Sequence, residues 1–218
     1  MDTSTFSVEK NSENHASIVT LSPSISTIKS LLPVFLDRST DEASMHDVVG
    51  SMTVEVVRVA KERNEQLGKV PVTLVPILRG ALPMYVAASG LFESPSCGLV
   101  RGIRAKENTD AQIEWLGRRP YPLIPQHGHI VLLDTVIATG GTILSICNEL
   151  LGLSGPRERY ITVLSCYVSP IGLRAVAEHP LIREVVVAAR AESVDENGYV
   201  VPYPGDVGDK LFGKAVSS

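Results

Sequence analysis

Short, nearly continuous apolar runs, each bounded by polar turns and separated by stretches of helical period, leave this chain few architectures. Val72–Leu78 (VTLVPIL) and residues 130–133, 160–166 and 184–189 each read as a strand buried on both faces. Helical stretches fall between them, at 82–91, from the turn after residue 133 to about residue 153, and from Ser169-Pro170 onward. In the last, serine serves as N-cap and proline takes the first helical position. Strands alternating with helices predict an α/β fold, a mainly parallel sheet flanked by helices. In such sheets ligands bind beyond the carboxyl ends of the strands, so the turns that follow strands carry the functional interest.

A longer helix precedes the first apolar run. Ser39 and Glu42 form a capping box, and Met45, Val48, Val49, Met52, Val56, Val59 and Ala60 then recur at helical spacing until the pattern fades near Gly68. Residues 99–104 and 111–116 read as the two arms of a hairpin around a polar stretch at 106–110. Residues 118–128, dense in proline and glycine, read as loop.

Composition narrows the function classes. A chain of 218 residues with 44% apolar content suits a single domain, expected over residues 21–218, behind a loose polar arm at residues 1–20. The net charge of −4 gives no global basic field for nucleic acid or an anionic membrane. Cys97, Cys147 and Cys166 have neither disulfide nor zinc spacing and read as reduced core thiols, which fits a cytoplasmic protein. The polar start has no signal-peptide core, and no apolar run is long enough to span a bilayer. The five histidines lack ligand spacing; surface or capping roles are expected for His129 and His179, and packing for Trp115.

The most informative segment is HIVLLDTVIATGGTILSI, from His129 to Ile146. An apolar strand ends at Asp134, and Ala138-Thr139-Gly140-Gly141-Thr142 opens a helix. A helix N-terminus offers unpaired N–H donors and partial positive charge, two glycines let the backbone approach an anion, and the threonines add hydroxyls. Together they suit a phosphate. Asp134 suits sugar hydroxyls or the neighbourhood of a metal ion. No lysine follows the glycines, so this is not a Walker loop, and the GxGxxG spacing of a dinucleotide site is missing. A bare Gly-Gly tight turn is the plain alternative for TGGT alone.

These residues resemble the phosphoribosyl-pyrophosphate loop of type I phosphoribosyltransferases. The single acid followed by Thr135 is similar to the uracil phosphoribosyltransferase branch. Pro76-Ile77-Leu78-Arg79-Gly80 resembles that family's PILRAG segment, whose arginine contacts pyrophosphate. Gly102-Ile103-Arg104, with Lys106, Glu107 and Asn108, resembles its mobile hairpin, which carries a second such arginine. The tail, Asn197-Gly198-Tyr199-Val200-Val201-Pro202 and then residues 205–213 (GDVGDKLFG), resembles the family's GYIVPGLGDAGDRLFG ending, a hood that holds the base. Two departures stand out. Tyr203-Pro204 replaces Gly-Leu beside the base, and Arg190-Ala191 replaces an apolar residue and an aspartate.

The resemblance implies transfer of 5-phosphoribosyl from phosphoribosyl pyrophosphate (PRPP) to a nucleobase, uracil foremost, giving UMP and pyrophosphate. It implies Mg2+ held mainly by PRPP and no metal ligand of the protein's own. Arg79, Arg104 and Asp134 would carry the reaction. Ala138, Thr139, Gly140, Gly141, Thr142 and Asp206 would help hold PRPP. The base would meet Ala138, Tyr199, Val200, Gly205, Asp206 and Val207. A hood over residues 190–213 and a homodimer or larger homo-oligomer are implied as well. The alternatives are transfer to another planar heterocycle and, in a different class, a ligand-sensing regulator that binds RNA. The lack of a basic stripe speaks against the latter.

Overall fold

The computed structural model describes residues 5–10, 16–23, 25–104, 111–117, 128–154 and 161–214. Its elements run β1 (Phe6–Lys10), β2 (Ser17–Leu21), α1 (Ser26–Leu36), α2 (Glu42–Arg63), β3 (Val72–Leu78), α3 (Leu82–Ser89), β4 (Ser96–Cys97), β5 (Leu99–Arg104) and β6 (Ala111–Leu116). They continue with β7 (His129–Ile137), α4 (Gly141–Ser154), β8 (Ile161–Val168), α5 (Pro170–Ala177), β9 (Ile182–Arg190), β10 (Ser193–Val194), β11 (Val200–Val201) and α6 (Val207–Phe212). The main sheet has the order β1-β2-β9-β8-β7-β3-β5-β6, with β4 beside β3. From β2 to β5 every neighbouring pair is parallel. The end pairs β1–β2 and β5–β6 are antiparallel. This is the expected mainly parallel sheet.

Period-2 alternation divides the core. Leu74, Val131, Leu133, Leu164 and Val186 face one side and pack with α1, α2 and α3. Val75, Leu132, Val163, Val185 and Val187 face the other and pack with α4 and α5. A strand apolar on both faces is what this two-sided burial requires. Helix α2 buries each of the seven residues picked out by its periodicity. Cys147 and Cys166 lie in the core, and burial pushes both thiols up to about 12, which leaves them unreactive. Among the described residues no helix is long and apolar enough to cross a membrane.

Several expectations need correction. The N-terminal arm is not loose over its described parts: β2 adds a parallel strand to the edge of β9, and β1 folds back on it. Ala16, Ile18, Val19 and Leu21 are buried there. Arg190 explains its own presence at this edge. Its Nε donates to Thr20 Oγ1 at 2.8 Å, and its guanidinium pairs with Glu9 at 2.6 Å. Helix α2 is capped by Asp41, whose carboxylate accepts from Ser44 N–H at 2.8 Å. Ser39 instead donates its N–H and hydroxyl to Asp37. A carboxylate next to the first turn also gains from the helix dipole, so Asp41 is the better cap. Helix α1 has no capping side chain and contains Pro33, so its local signals are weak. His129 is buried rather than superficial; its Nε2 lies 2.9 Å from Thr162 Oγ1, and burial lowers its pKa to about 4, keeping it neutral. His179 does serve the end of α5, its Nδ1 accepting Leu181 N–H at 3.2 Å.

Candidate active site at the carboxyl ends of the strands

Helices α3 and α4, which follow the adjacent strands β3 and β7, cover opposite faces of the sheet. The chain therefore parts between the carboxyl ends of β3 and β7, the topological switch point where α/β sheets hold ligands. A cavity of about 340 Å³ opens there. The turn after β3 supplies Arg79 and Gly80, β7 and its turn supply Asp134, Thr135, Val136 and Ala138, and Thr142 enters from α4. The tail closes the cavity with Tyr199, Val200 and Tyr203, followed by Gly205 to Gly208. Gly102 of the hairpin completes one side.

Asp134 is not the last residue of its strand, because β7 continues to Ile137. Its ladder pairing with Ser165 of β8 is regular, so the sheet itself fixes where the carboxylate emerges. The side chain is half-buried at the cavity floor. Burial raises its pKa to about 7, against the backbone N–H groups of Val136 and Thr135, which pull it down.

The phosphate-type turn is shorter than the sequence suggests, running through Ala138, Thr139 and Gly140. Gly140 has φ +83°, and a Cβ there would come within 2.8 Å of Val176 Cγ2 on α5. Only glycine tolerates both the left-handed backbone and that approach. The cap of α5 holds the turn from outside: Ser169 Oγ donates to Ala138 O and accepts from Gly172 N–H at 2.9 Å. Sequence reasoning identified Ser169 as a cap but not as a support of the turn, since that contact joins elements 31 residues apart.

The Leu78–Arg79 peptide is cis. Arg79 reaches from this turn to the tail, where it donates to Asp209 Oδ1 at 2.5 Å and to Gly213 O at 3.0 Å. Gly80 and Gly208 pack closely, their backbones facing each other beside Thr135. Asp206 lines the cavity and also caps α6, accepting Asp209 N–H at 2.8 Å. The hood rests on α2 and on the connection before it: Lys210 Nζ donates to Asp37 O at 2.6 Å, and His46 of α2 meets Phe212 edge-on.

Of the site residues expected from sequence, Arg79, Asp134, Ala138, Thr142, Tyr199, Val200, Gly205, Asp206 and Val207 converge on this cavity. Thr139, Gly140 and Gly141 shape the turn without lining it. Gly102, one turn of the pleat from Arg104, packs against Thr142. The side chain of Arg104, the hairpin tip with Lys106, Glu107 and Asn108, and the loop at 118–128 lie outside the described residues. The hairpin's described base is docked on α4, Trp115 Nε1 donating to Glu149 Oε1 at 3.1 Å and Ser145 Oγ to Ala111 O at 2.7 Å. Thr135, Gly80 and Gly208 belong to the family-like motifs but were not expected among the site residues, although they line the cavity; small residues give no site signal until their neighbours are known.

Among the described residues no three His, Cys, Asp or Glu side chains form a metal-binding group. A magnesium ion bound mainly through substrate phosphates and water needs only one or two carboxylates. Asp134 and Asp206 border the cavity, so the residues present fit such an ion.

The chain is similar to known proteins in sequence and in fold. The sequence model of the uracil phosphoribosyltransferase family matches residues 40–214. The uracil phosphoribosyltransferase of Clostridium acetobutylicum is 31% identical over 173 residues, 77% of this chain and 79% of its own length. That of Ureaplasma parvum is 28% identical over 188 residues, 85% of this chain and 84% of its own. Among solved structures, a protein from Aquifex aeolicus superposes with a TM-score of 0.71 at 22% identity, over 92% of this chain and all (100%) of that one. The adenine phosphoribosyltransferase of Trypanosoma brucei, in complex with AMP, pyrophosphate and ribose-5-phosphate, gives 0.54 at 17% identity, over 88% and 90%. The fold is thus that of type I phosphoribosyltransferases, and the chain belongs to the uracil phosphoribosyltransferase family.

Proposed function

We propose that this enzyme transfers the 5-phosphoribosyl group of PRPP to uracil, releasing UMP and pyrophosphate. The carrying observation is the convergence, around one cavity, of the 138–142 turn, Asp134, Arg79 and the C-terminal hood in a chain of this family. The 5′-phosphate sits against the N-terminus of α4, where Thr142 and the backbone N–H groups of the Thr139-Gly140-Gly141 turn donate to it. Asp134 accepts from the ribose hydroxyls. The bond between the anomeric carbon and pyrophosphate breaks as a base nitrogen attacks; negative charge grows on the leaving group, and the proton of that nitrogen leaves with it. Arg79 and Arg104 meet that charge. To do so, the Arg79 guanidinium exchanges Asp209 for pyrophosphate oxygens. Magnesium, when bound, neutralises part of the pyrophosphate charge. Ala138, Tyr199, Val200, Gly205, Asp206 and Val207 border the base. The reading includes a cytoplasmic homodimer or larger homo-oligomer acting on free substrates.

The test combines binding and turnover. PRPP with magnesium is expected to raise the melting temperature, because a ligand that binds only the folded state stabilises it. Pyrophosphate release is expected with uracil and not with adenine. Absence of any shift at saturating PRPP, with or without magnesium, would refute the proposal.

A further inference from the structure

The border of the cavity combines two kinds of groups. Ala138, Thr142, Arg79 and Asp134 suit an anion and a sugar. The hood adds aromatic rings. There the rings of Tyr199 and Tyr203 lie 4.8 Å apart, tilted by 47°, and both border the cavity. Tyr203 is held by its neighbours. The Arg38 guanidinium sits 5.9 Å from its ring centroid, and Asp37, the residue before it, accepts the Lys210 bond that ties down the hood. Pro204, next in the chain, is buried. The ring thus belongs to a supported wall. Where the family pattern has Gly-Leu, this chain has Tyr203-Pro204, so the wall is a property of this chain rather than of the pattern.

We propose that Tyr203 is a specificity-determining residue whose ring forms the side wall of the base subsite and fits it to a flat, unsubstituted single ring. This inference rests on the phosphoribosyl-transfer reading. Two physical effects act together. An aromatic wall attracts the face or edge of a planar heterocycle through dispersion and quadrupole terms, and a ring with two torsions loses little entropy in doing so. The same ring occupies volume that a glycine leaves open. Because the same cavity also takes the ribose phosphate and pyrophosphate, an aromatic side chain on its border takes its space from the base. A second fused ring, or a bulky substituent on the first, meets the Tyr203 side chain.

The test is steady-state kinetics of the wild type, Tyr203→Gly, Tyr203→Leu and Tyr203→Phe with uracil, 5-bromouracil and hypoxanthine. PRPP binding is followed separately by calorimetry. In Tyr203→Gly the KM for uracil is expected to rise about tenfold, the size of a lost stacking contact, with the KM for PRPP changed less than about twofold. The preference for uracil over 5-bromouracil should shrink by about the same factor. Tyr203→Leu keeps only part of the bulk and none of the π face, so it should lose uracil affinity and accept the larger ring less well than Tyr203→Gly does. Tyr203→Phe restores most of the uracil affinity. The inference is overturned if Tyr203→Gly leaves both the uracil KM and the base preference unchanged, or raises the KM for base and PRPP alike, as a packing role would. Wild-type uracil affinity in Tyr203→Leu overturns it as well. A wild type that binds PRPP but prefers 5-bromouracil or hypoxanthine overturns it while the PRPP reading stands. A wild type that binds no PRPP refutes that reading, and the inference falls with it.

Discussion

Asp134 holds a carboxyl whose pKa burial raises from 3.8 to about 7. In the ligand-free enzyme the folded state therefore keeps a proton that the unfolded chain releases near pH 4. Between about pH 4 and 7 the folded state binds more protons, so stability falls as pH rises through that window. Asp134→Asn carries no titrating group. It is expected to melt higher than the wild type at pH 8, with the gap closing toward pH 4; parallel melting curves across that range would show an ordinary carboxyl. Arg79 poses the converse problem, a cation already engaged by Asp209 and Gly213 O. Because charge grows on pyrophosphate in the transition state, Arg79→Ala is expected to lower turnover by about 10²–10³-fold. Binding of ribose 5-phosphate, which lacks that group, should weaken far less. Equal losses would mean that Arg79 serves the other end of the ligand. Both residues stand out in the sequence, one at a strand end and one before a glycine, but their charge partners do not. Asp209 lies 130 residues from Arg79, and such pairing has no local signature.

At the scale of elements, the turn between β7 and α4 combines two demands on one backbone. It must present N–H groups to an anion and pass close under α5. Gly140 meets both, with φ +83° and Val176 directly over the missing Cβ. Gly140→Ala is expected to cost about 1–3 kcal/mol and to weaken PRPP binding. Gly152, further along α4, has open space around it, and alanine there should stabilise the helix by up to about 1 kcal/mol. Thermal melts of the two variants should therefore shift in opposite directions; a shared direction would show that the turn, not just the residue, has been misread. The strand runs Val72–Leu78, Leu99–Arg104 and Ala111–Leu116 match their sequence readings residue for residue, because turns bound each run closely. Strand β7 outruns its apolar signal: Asp134 and Thr135 interrupt the hydrophobic pattern while β8 continues the ladder to Ile137.

Across the whole molecule, the N-terminal strands illustrate how an edge is completed. Without β2, the parallel ladder would end at β9, with unpaired N–H and C=O groups and a bare apolar flank. Full burial of Ile18, Val19 and Leu21 is worth about 1.5–3 kcal/mol each, and Arg190 adds its bonds to Thr20 and Glu9. A chain lacking residues 1–21 is expected to lose cooperative melting or to aggregate. A truncated chain with the melting temperature of the full one would show these strands to be dispensable. Polar residues before residue 17 hide them from sequence reasoning: β2 offers a run of only five residues, and the cover on its two faces comes from distant segments.

The sequence by itself determined the α/β class, the central strands and the phosphate-type turn, because each follows from near neighbours: apolar runs, a proline after a serine, two glycines at a helix start. It also marked Arg79, Asp134 and the tail by their likeness to one family. Only the tertiary structure decided what these groups do to one another. It joined Ser169 to the turn, Asp209 to Arg79, Tyr203 to the cavity beneath Arg38, and Arg190 to the first two strands. It also decided the state of Asp134, whose proton depends on how much water the finished cavity admits. Local pattern encodes backbone preference and burial; charge pairing, desolvation and pocket shape arise where distant segments meet, and no spacing along the chain carries them.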